Sequence, residues 1–97
     1  MQISFPREQQ LTFDNSGVDF PAIVDRRRIP CRISCEALDD HFNAEREGTL
    51  HAFLRHRSEV EAKARELIEQ QKSQPDGSIL INTFDIGPMQ SQYYRPL

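Results

Sequence analysis

The spacing of apolar residues in the second half of the chain predicts one long helix. The segment from Thr49 to Lys72 contains neither glycine nor proline. Apolar side chains recur in it at three- and four-residue steps, which places them on one side of an α-helix; they are Leu50, Phe53, Leu54, Val60, Ala64, Leu67 and Ile68. We expect Thr49 to cap this helix and the turn-forming residues 73–78 to end it.

The first third of the chain alternates between apolar and polar residues, which is typical of half-buried strands. Two short pieces, at residues 1–5 and 11–13, precede a turn at residues 14–17. Longer strands at residues 18–24 and 29–33 flank Asp25–Arg28, so this region predicts a β-hairpin. A β-branched and aromatic run at residues 79–84 predicts a last strand.

The order of these elements predicts the fold class. Ser34 is expected to cap a short helix from Cys35 to Phe42. The order is then roughly β-β-β-α-α-β, which indicates an α+β fold: a small antiparallel β-sheet with a short and a long helix packed on one face. Residues 1–86 are expected to form this single domain. Residues 87–97 show no periodicity, so we predict a mobile C-terminal tail.

Composition and charge narrow the functional classes. The chain has 97 residues, a net charge of -3 and a pI near 5.5. A protein that binds nucleic acid through bulk charge is usually basic, so the balance disfavours that class. The sequence contains no apolar run of the ~18 residues that a membrane span needs. Its N-terminus lacks the layout of a secretory signal, so we expect a cytoplasmic protein with reduced cysteines.

Arginines are concentrated at one place, where Arg26, Arg27 and Arg28 precede Arg32. In the turn of a hairpin they are most simply a solvated loop tip. The alternative is a contact with an anion, a phosphate ligand or nucleic acid, because the guanidinium fork matches phosphate. Such binding by a net acidic protein would be weak and sensitive to salt.

Charged residues also lie inside the apolar stripe of the long helix. Arg57 and Glu61 are four residues apart, and Glu61 and Arg65 are again four apart, so each pair can make contact. One interpretation is that the stems pack at the margin of the sheet while the charged heads reach water. The other is that these residues face a partner or an internal polar cluster. Arg57, Glu61 and Arg65 are therefore candidate interface residues.

The two cysteines are the main candidates for reactive chemistry. Cys31 and Cys35 form a C-x3-C pair, which is not the spacing of common redox or zinc motifs. Cys31 shares strand parity with Ile33, so packing is its simplest role. Cys35 opens a helix, where a thiolate is favoured, and a redox or metal role for the pair stays open. We predict no catalytic residues, no metal and no cofactor, and hence not an enzyme.

Several short motifs occur in the predicted strands and helices: Val18-x-Phe20-x-Ala22, Cys31-Arg32-Ile33-Ser34 followed by Glu36-Ala37-Leu38, Asp40-x-Phe42, and Phe53 with Arg57. With these motifs the chain resembles a family of short bacterial proteins catalogued only as a domain of unknown function. The resemblance covers roughly residues 13–84 and implies an α+β fold with a small antiparallel sheet. It supplies no activity, substrate or cofactor to carry over, and His56 stands where an asparagine is expected.

The sequence favours a small non-enzymatic cytoplasmic module, with a binding or regulatory accessory role that acts through a protein interface. We expect its surface to combine the helix flank around Arg57 and Glu61 with one edge of the sheet. The partner is an unknown protein or a second copy of the chain. The alternative is a weak binder of nucleic acid or a phosphate ligand through the Arg26–Arg28 loop.

Overall fold

The computed structural model describes residues 1–86, apart from the side chain of Glu47. It has one five-stranded sheet and helices packed on one side of that sheet, so the predicted α+β fold is confirmed. The prediction of a mobile tail at residues 87–97 lies outside the described residues. The elements are β1 Ile3–Ser4, β2 Gln10–Leu11, β3 Gly17–Val24, β4 Arg27–Ser34, α1 Cys35–Phe42, α2 Ala44–Glu47, α3 Thr49–Arg55, α4 Arg57–Glu69 and β5 Ile79–Ile81.

The β3–β4 hairpin forms the centre of the sheet. Its antiparallel register pairs Gly17 with Ser34 at one end and Val24 with Arg27 at the other. The connecting turn is two residues long, not the four predicted, because Arg27 and Arg28 already belong to β4. Its residues Asp25 and Arg26 have φ angles of 50° and 73°. Positive φ at both positions gives a turn whose twist matches that of the strands.

The strands lie in the order β1-β3-β4-β5, and β2 also pairs with β3. The first four strands pair antiparallel, but β5 runs parallel to β4. The prediction of a wholly antiparallel sheet is therefore wrong at its last strand. The chain leaves β4, passes through the whole helical layer and returns beside β4, and such a crossover brings the new strand in parallel.

The predicted last strand ends three residues early, at Ile81. Asn82 instead caps a helical turn over residues 83–86. Its Oδ1 accepts from the Phe84 N–H at 2.9 Å, and its own N–H donates to the Asp85 carboxylate at 2.8 Å. These reciprocal bonds form a capping box, which outweighs the strand preference of Thr83 and Phe84.

The predicted long helix is two helices, because α3 and α4 are separated at His56, where φ is -111°. The N-cap of α3 is Gly48 and not Thr49, and α4 ends at Glu69. The His56 ring stacks on Phe42 at 4.8 Å and contacts Glu59 at 3.0 Å. The break lets α3 pack against α1 and β3 while α4 packs beside β5.

The core lies between the sheet and the helices. Alternate residues of β3, β4 and β5 point into it, and they meet the apolar sides of α1, α3 and α4. Phe53 is fully buried, and its ring lies 5.3 Å from that of Phe20. Helix α1 begins as predicted, since the Ser34 hydroxyl accepts from the Ala37 N–H at 3.1 Å. Among the described residues, helices are all too short or too polar to cross a membrane.

Candidate functional site

The second face of the sheet is not covered by the helices, and it is the candidate functional site. Residues that alternate with the core positions point towards this face. We call it the open face. In the three strands β3, β4 and β5 it carries Asp19, Pro21, Ile23, Arg28, Pro30, Arg32 and Leu80. Apolar side chains thus occupy its middle, with charged side chains around them.

Two prolines lie opposite each other in the middle of the open face. Pro21 in β3 pairs with Pro30 in β4. A proline has no N–H to donate, so such a pair must occupy a position where the ladder needs no bond between them. On its outer side, each proline also faces no paired strand that would need its N–H. β1 and β2 pair with β3 on either side of Pro21, and β5 pairs with β4 only from Cys31 onward. The hairpin therefore keeps its hydrogen bonds and gains a rigid surface.

A groove with a volume of about 970 Å³ runs across the open face. We call residues 5–9, the segment between β1 and β2, the N-terminal arm, and its residues Arg7, Glu8 and Gln9 form one wall. The other wall is the turn formed by residues 74–78, followed by Leu80. Pro21 and Pro30 lie on the floor between them. Clefts of this size with an apolar floor and a few polar groups are typical of binding sites.

Two ion pairs cross the groove region. Arg28 contacts Glu8 of the arm at 2.6 Å. Arg32 contacts both carboxylate oxygens of Asp19, with its Nε at 2.6 Å and its Nη2 at 3.2 Å. The hydrogen bond from Arg28, and then its charge, lower the pKa of Glu8. Both carboxylates thus offset the charge of the arginines that face the groove.

The predicted arginine cluster is therefore divided by the fold. Arg28 and Arg32 alternate onto the open face and line the groove. Arg26 lies in the exposed hairpin turn, and Arg27 is exposed at the start of β4. Neither of these two lines the groove. The strand parity of β4, which places every second residue on one face, explains the division.

Arg57 holds the N-terminal arm from the helical side. Only 6% of the residue is exposed. Its Nε donates to Glu61 at 2.5 Å, its Nη1 to the side-chain oxygen of Gln9 at 2.6 Å and its Nη2 to the Pro6 carbonyl at 2.7 Å. The guanidinium also lies over the Phe53 ring, 5.3 Å from its centre. The expectation that this head reaches water is wrong for Arg57, whose guanidinium lies in an internal polar cluster.

Arg65 extends the same arrangement towards the chain start. Its Nη2 donates to the Ile3 carbonyl at 3.3 Å, and its guanidinium lies 5.8 Å from the centre of the Phe5 ring. Arg57 and Arg65 therefore bind the N-terminal segment, while Glu61 is half-buried beside Arg57. The predicted flank around Arg57 is not a bare surface. An arginine in an apolar stripe with a glutamate four residues later indicates a buried pair, so the sequence could have indicated the contact between Arg57 and Glu61. The other acceptors of Arg57, Pro6 and Gln9, are distant in the chain, and no local pattern indicates them.

The chain matches a recognised family of proteins. The family described as "Protein of unknown function (DUF1488)" matches residues 3–81 of the chain. The chain belongs to this family. The match begins at β1 and ends with β5, so it spans all five strands and both walls of the groove.

Relatives and a solved structure agree with this assignment. The chain is 33% identical over 76 residues to the "Uncharacterized protein YrdB" of Escherichia coli strain K12, which covers 77% of this chain and 89% of that protein. The protein of the same name from Shigella flexneri gives the same figures. A crystal structure of a DUF1488 protein of unknown function from Shewanella loihica PV-4 has a TM-score of 0.69 at 25% identity, over 81% of this chain and 90% of that one.

Neither cysteine takes part in the ion pairs of the groove. Cys31 is buried in the core, and burial raises the pKa of its thiol to about 12. A neutral thiol in this setting packs as a small apolar group. Cys35 is half-buried at the start of α1, and its Sγ donates to the Asn15 carbonyl at 3.0 Å. Among residues 1–86, no group of three or more side chains is arranged to hold a metal ion.

Asp40, His41 and Thr83 meet at the end of α1 but lack the geometry of a catalytic triad. The Thr83 hydroxyl donates to the Asp40 carboxylate at 2.6 Å, and His41 Nε2 lies 3.1 Å from the Thr83 carbonyl. A carbonyl only accepts, so this contact requires a proton on Nε2, and the Thr83 hydroxyl directs its own proton to Asp40 and not to the histidine. These bonds fasten α1 to the turn that follows β5. Thr83 lies just beyond the family match, which ends at Ile81.

Proposed function

We propose that this protein is a small, cytoplasmic, non-enzymatic module that binds another protein through the open face of its sheet. The observation that carries the proposal is the groove across this face, with an apolar floor and charged residues at its margins. An apolar centre surrounded by a polar rim is the usual composition of a protein interface. Exposed Pro30 lies on the apolar floor and exposed Leu80 adds an apolar side chain at the wall beside it, while the two ion pairs supply the polar rim.

Rigidity of the site supports the same function. Both prolines have fixed φ angles, and the arm is held from behind by Arg57 and from the front by Arg28. A surface that is already ordered loses little conformational entropy when a partner docks. This arrangement suits recognition of a protein surface by shape.

The charges of the groove favour a protein partner over nucleic acid. Arg28 and Arg32 each contact a carboxylate, so they present little net positive charge. A phosphate ligand would have to compete with Glu8 for Arg28 and with Asp19 for Arg32, because each carboxylate already accepts from its arginine. The Arg26–Arg28 loop alone would give weak binding that is lost as salt is raised.

Capture from a cell extract tests the proposal with two matched variants. Leu80 lies on the open face and Leu54 on α3, and they are 36% and 47% exposed. We expect immobilised wild-type protein and Leu54→Lys to retain the same partner, and Leu80→Lys to lose it. Retention of that partner by Leu80→Lys, or of RNA or DNA by all three proteins at 200 mM salt, would contradict the proposal.

A further inference from the structure

We infer that the partner at the open face is a second copy of this chain, bound open face to open face about a two-fold axis. This inference rests on the proposed function, because it names the partner of the same surface. It follows from the charge, the size and the shape of the face.

The charges that line the groove balance one another. Three arginines and three carboxylates line it, although the whole chain carries -3. They are Arg7, Arg28, Arg32, Glu8, Asp19 and Asp76. A two-fold axis brings the same patch of both copies together, and because this patch is balanced the two copies meet without net like-charge repulsion. A strongly acidic or strongly basic partner would find no complementary electrostatic potential on this face.

The molecule is broad enough to present the area that a stable dimer needs. The molecule measures 42 by 31 by 23 Å. The shortest dimension fits one layer of sheet and one of helix, so the broad sides lie parallel to the sheet. A standard interface takes about 800 Å² from each partner, which is about one eighth of the 6351 Å² surface of this chain. A broad side of 42 by 31 Å is large enough to hold an interface of that area.

The shape of the face specifies how two copies meet. The arm and the turn at residues 74–78 rise on either side of the floor at Pro21 and Pro30. Two identical surfaces close without a large void only when a ridge of each enters the groove of the other. The two-fold axis therefore places the arm of each copy over the proline floor of its partner. The arm is suited to this role because Arg57 and Arg28 fix its position.

Sedimentation velocity of the full chain, from about 1 µM to about 500 µM, tests this inference over the range in which small interfaces dissociate. We expect a reversible monomer–dimer equilibrium for the wild-type protein. Leu80→Lys should raise the dimer dissociation constant at least about tenfold, since it places a charge on an apolar wall of the groove. Leu54→Lys makes the same change on the helical layer and should leave the constant unchanged. Matching thermal melts of the three proteins establish that each is folded.

The outcomes separate this inference from the proposed function. A wild-type protein that stays monomeric throughout overturns the inference, while a different captured protein that Leu80→Lys loses would still support the proposed function. A dimer that resists Leu80→Lys but is broken by Leu54→Lys overturns the inference, because the helical layer is then the interface. Failure of the proposed function itself would appear as a capture that is equal for all three proteins.

Discussion

Arg57 in α4 donates a hydrogen bond of 2.6 Å to Gln9, a residue 48 positions earlier in the chain. This bond joins the helical layer to the N-terminal arm, and the arm is one wall of the groove on the other side of the sheet. A residue buried against the core thus positions a surface feature. Stability and the shape of the candidate site are linked through this one guanidinium.

Removal of the Arg57 charge should destabilise the protein strongly. Arg57→Met keeps most of the volume but leaves the Pro6 carbonyl, Gln9 and Glu61 without their donor. Breaking a buried pair costs about 3–5 kcal/mol, and we expect about 3 kcal/mol because Glu61 is partly exposed. Urea unfolding at pH 7 measures the loss. Arg65→Met is the matched control, since exposed Arg65 makes one long hydrogen bond and should cost less than about 1 kcal/mol.

The same variant should loosen the arm. Hydrogen exchange in residues 5–9 should become faster in Arg57→Met than in Arg65→Met, under conditions where both are folded. Equal losses of stability in the two variants, together with equal exchange of the arm, would show that Arg57 has no special role in holding it.

Gly17 is required for the close approach of two strands. A Cβ added there would lie 2.2 Å from the Ile33 carbonyl oxygen, which is backbone and cannot rotate away. Gly17→Ala should therefore cost about 3 kcal/mol or more, at the upper end of overpacking. Gly77→Ala is the control: Gly77 has φ of +90° but open space around it, so only the backbone strain of about 1–2 kcal/mol applies. Thermal unfolding measures the stability of both variants. A lower melting temperature for Gly77→Ala than for Gly17→Ala would contradict this explanation.

Asp14 should make stability depend on pH in the acid range. Hydrogen bonds from Ser16 and then Thr12 lower the pKa of Asp14 from 3.8 to about 2. A carboxyl with a depressed pKa in the folded state contributes stability above its unfolded pKa and loses it as the pH falls through the folded value. The stability difference between wild type and Asp14→Asn should be constant above about pH 4 and shrink towards pH 2. Urea midpoints of the two proteins across this range measure it, and a difference that does not change with pH would contradict the prediction.

The two thiols should react at very different rates. Cys35 is half-buried with its Sγ near the surface, whereas Cys31 is buried and neutral with its pKa raised to about 12. A thiol reagent at pH 8 should label Cys35 in the folded protein and Cys31 only when the protein unfolds. Cys35→Ser should abolish the early phase, and Cys31→Ser should leave it intact. An early phase that persists in Cys35→Ser would place Cys31 within reach of solvent.

Local sequence signals predicted much of the fold. The alternation at residues 18–24 and 29–33 predicted the hairpin, and Ser34 predicted the start of α1, because both depend on neighbours in sequence. The direction of β5 could not be predicted in this way, since it depends on how the chain crosses the helical layer. The break at His56 was missed for a similar reason: His56 stacks on Phe42, which is distant in sequence.

The candidate site was predicted less well than the fold. The sequence identified Arg28, Arg32 and Arg57 as noteworthy, but it placed the arginines of the hairpin in one cluster and Arg57 on an exposed flank. The groove is assembled from the arm, the hairpin and the turn at residues 74–78, which are far apart in the chain. Pro21 and Pro30 offered a usable signal, because two prolines in facing strands require missing outer neighbours and hence a gap in the sheet.

Hydrogen exchange of the wild-type protein at low and high concentration tests the central claim most directly, because it maps the binding surface without any substitution. The account predicts that the N-terminal arm, residues 28–32 and residues 74–80 become slower to exchange at about 500 µM than at about 1 µM, while α3 is unchanged. Slower exchange confined to α3 and α4, with no change on the open face, would contradict it.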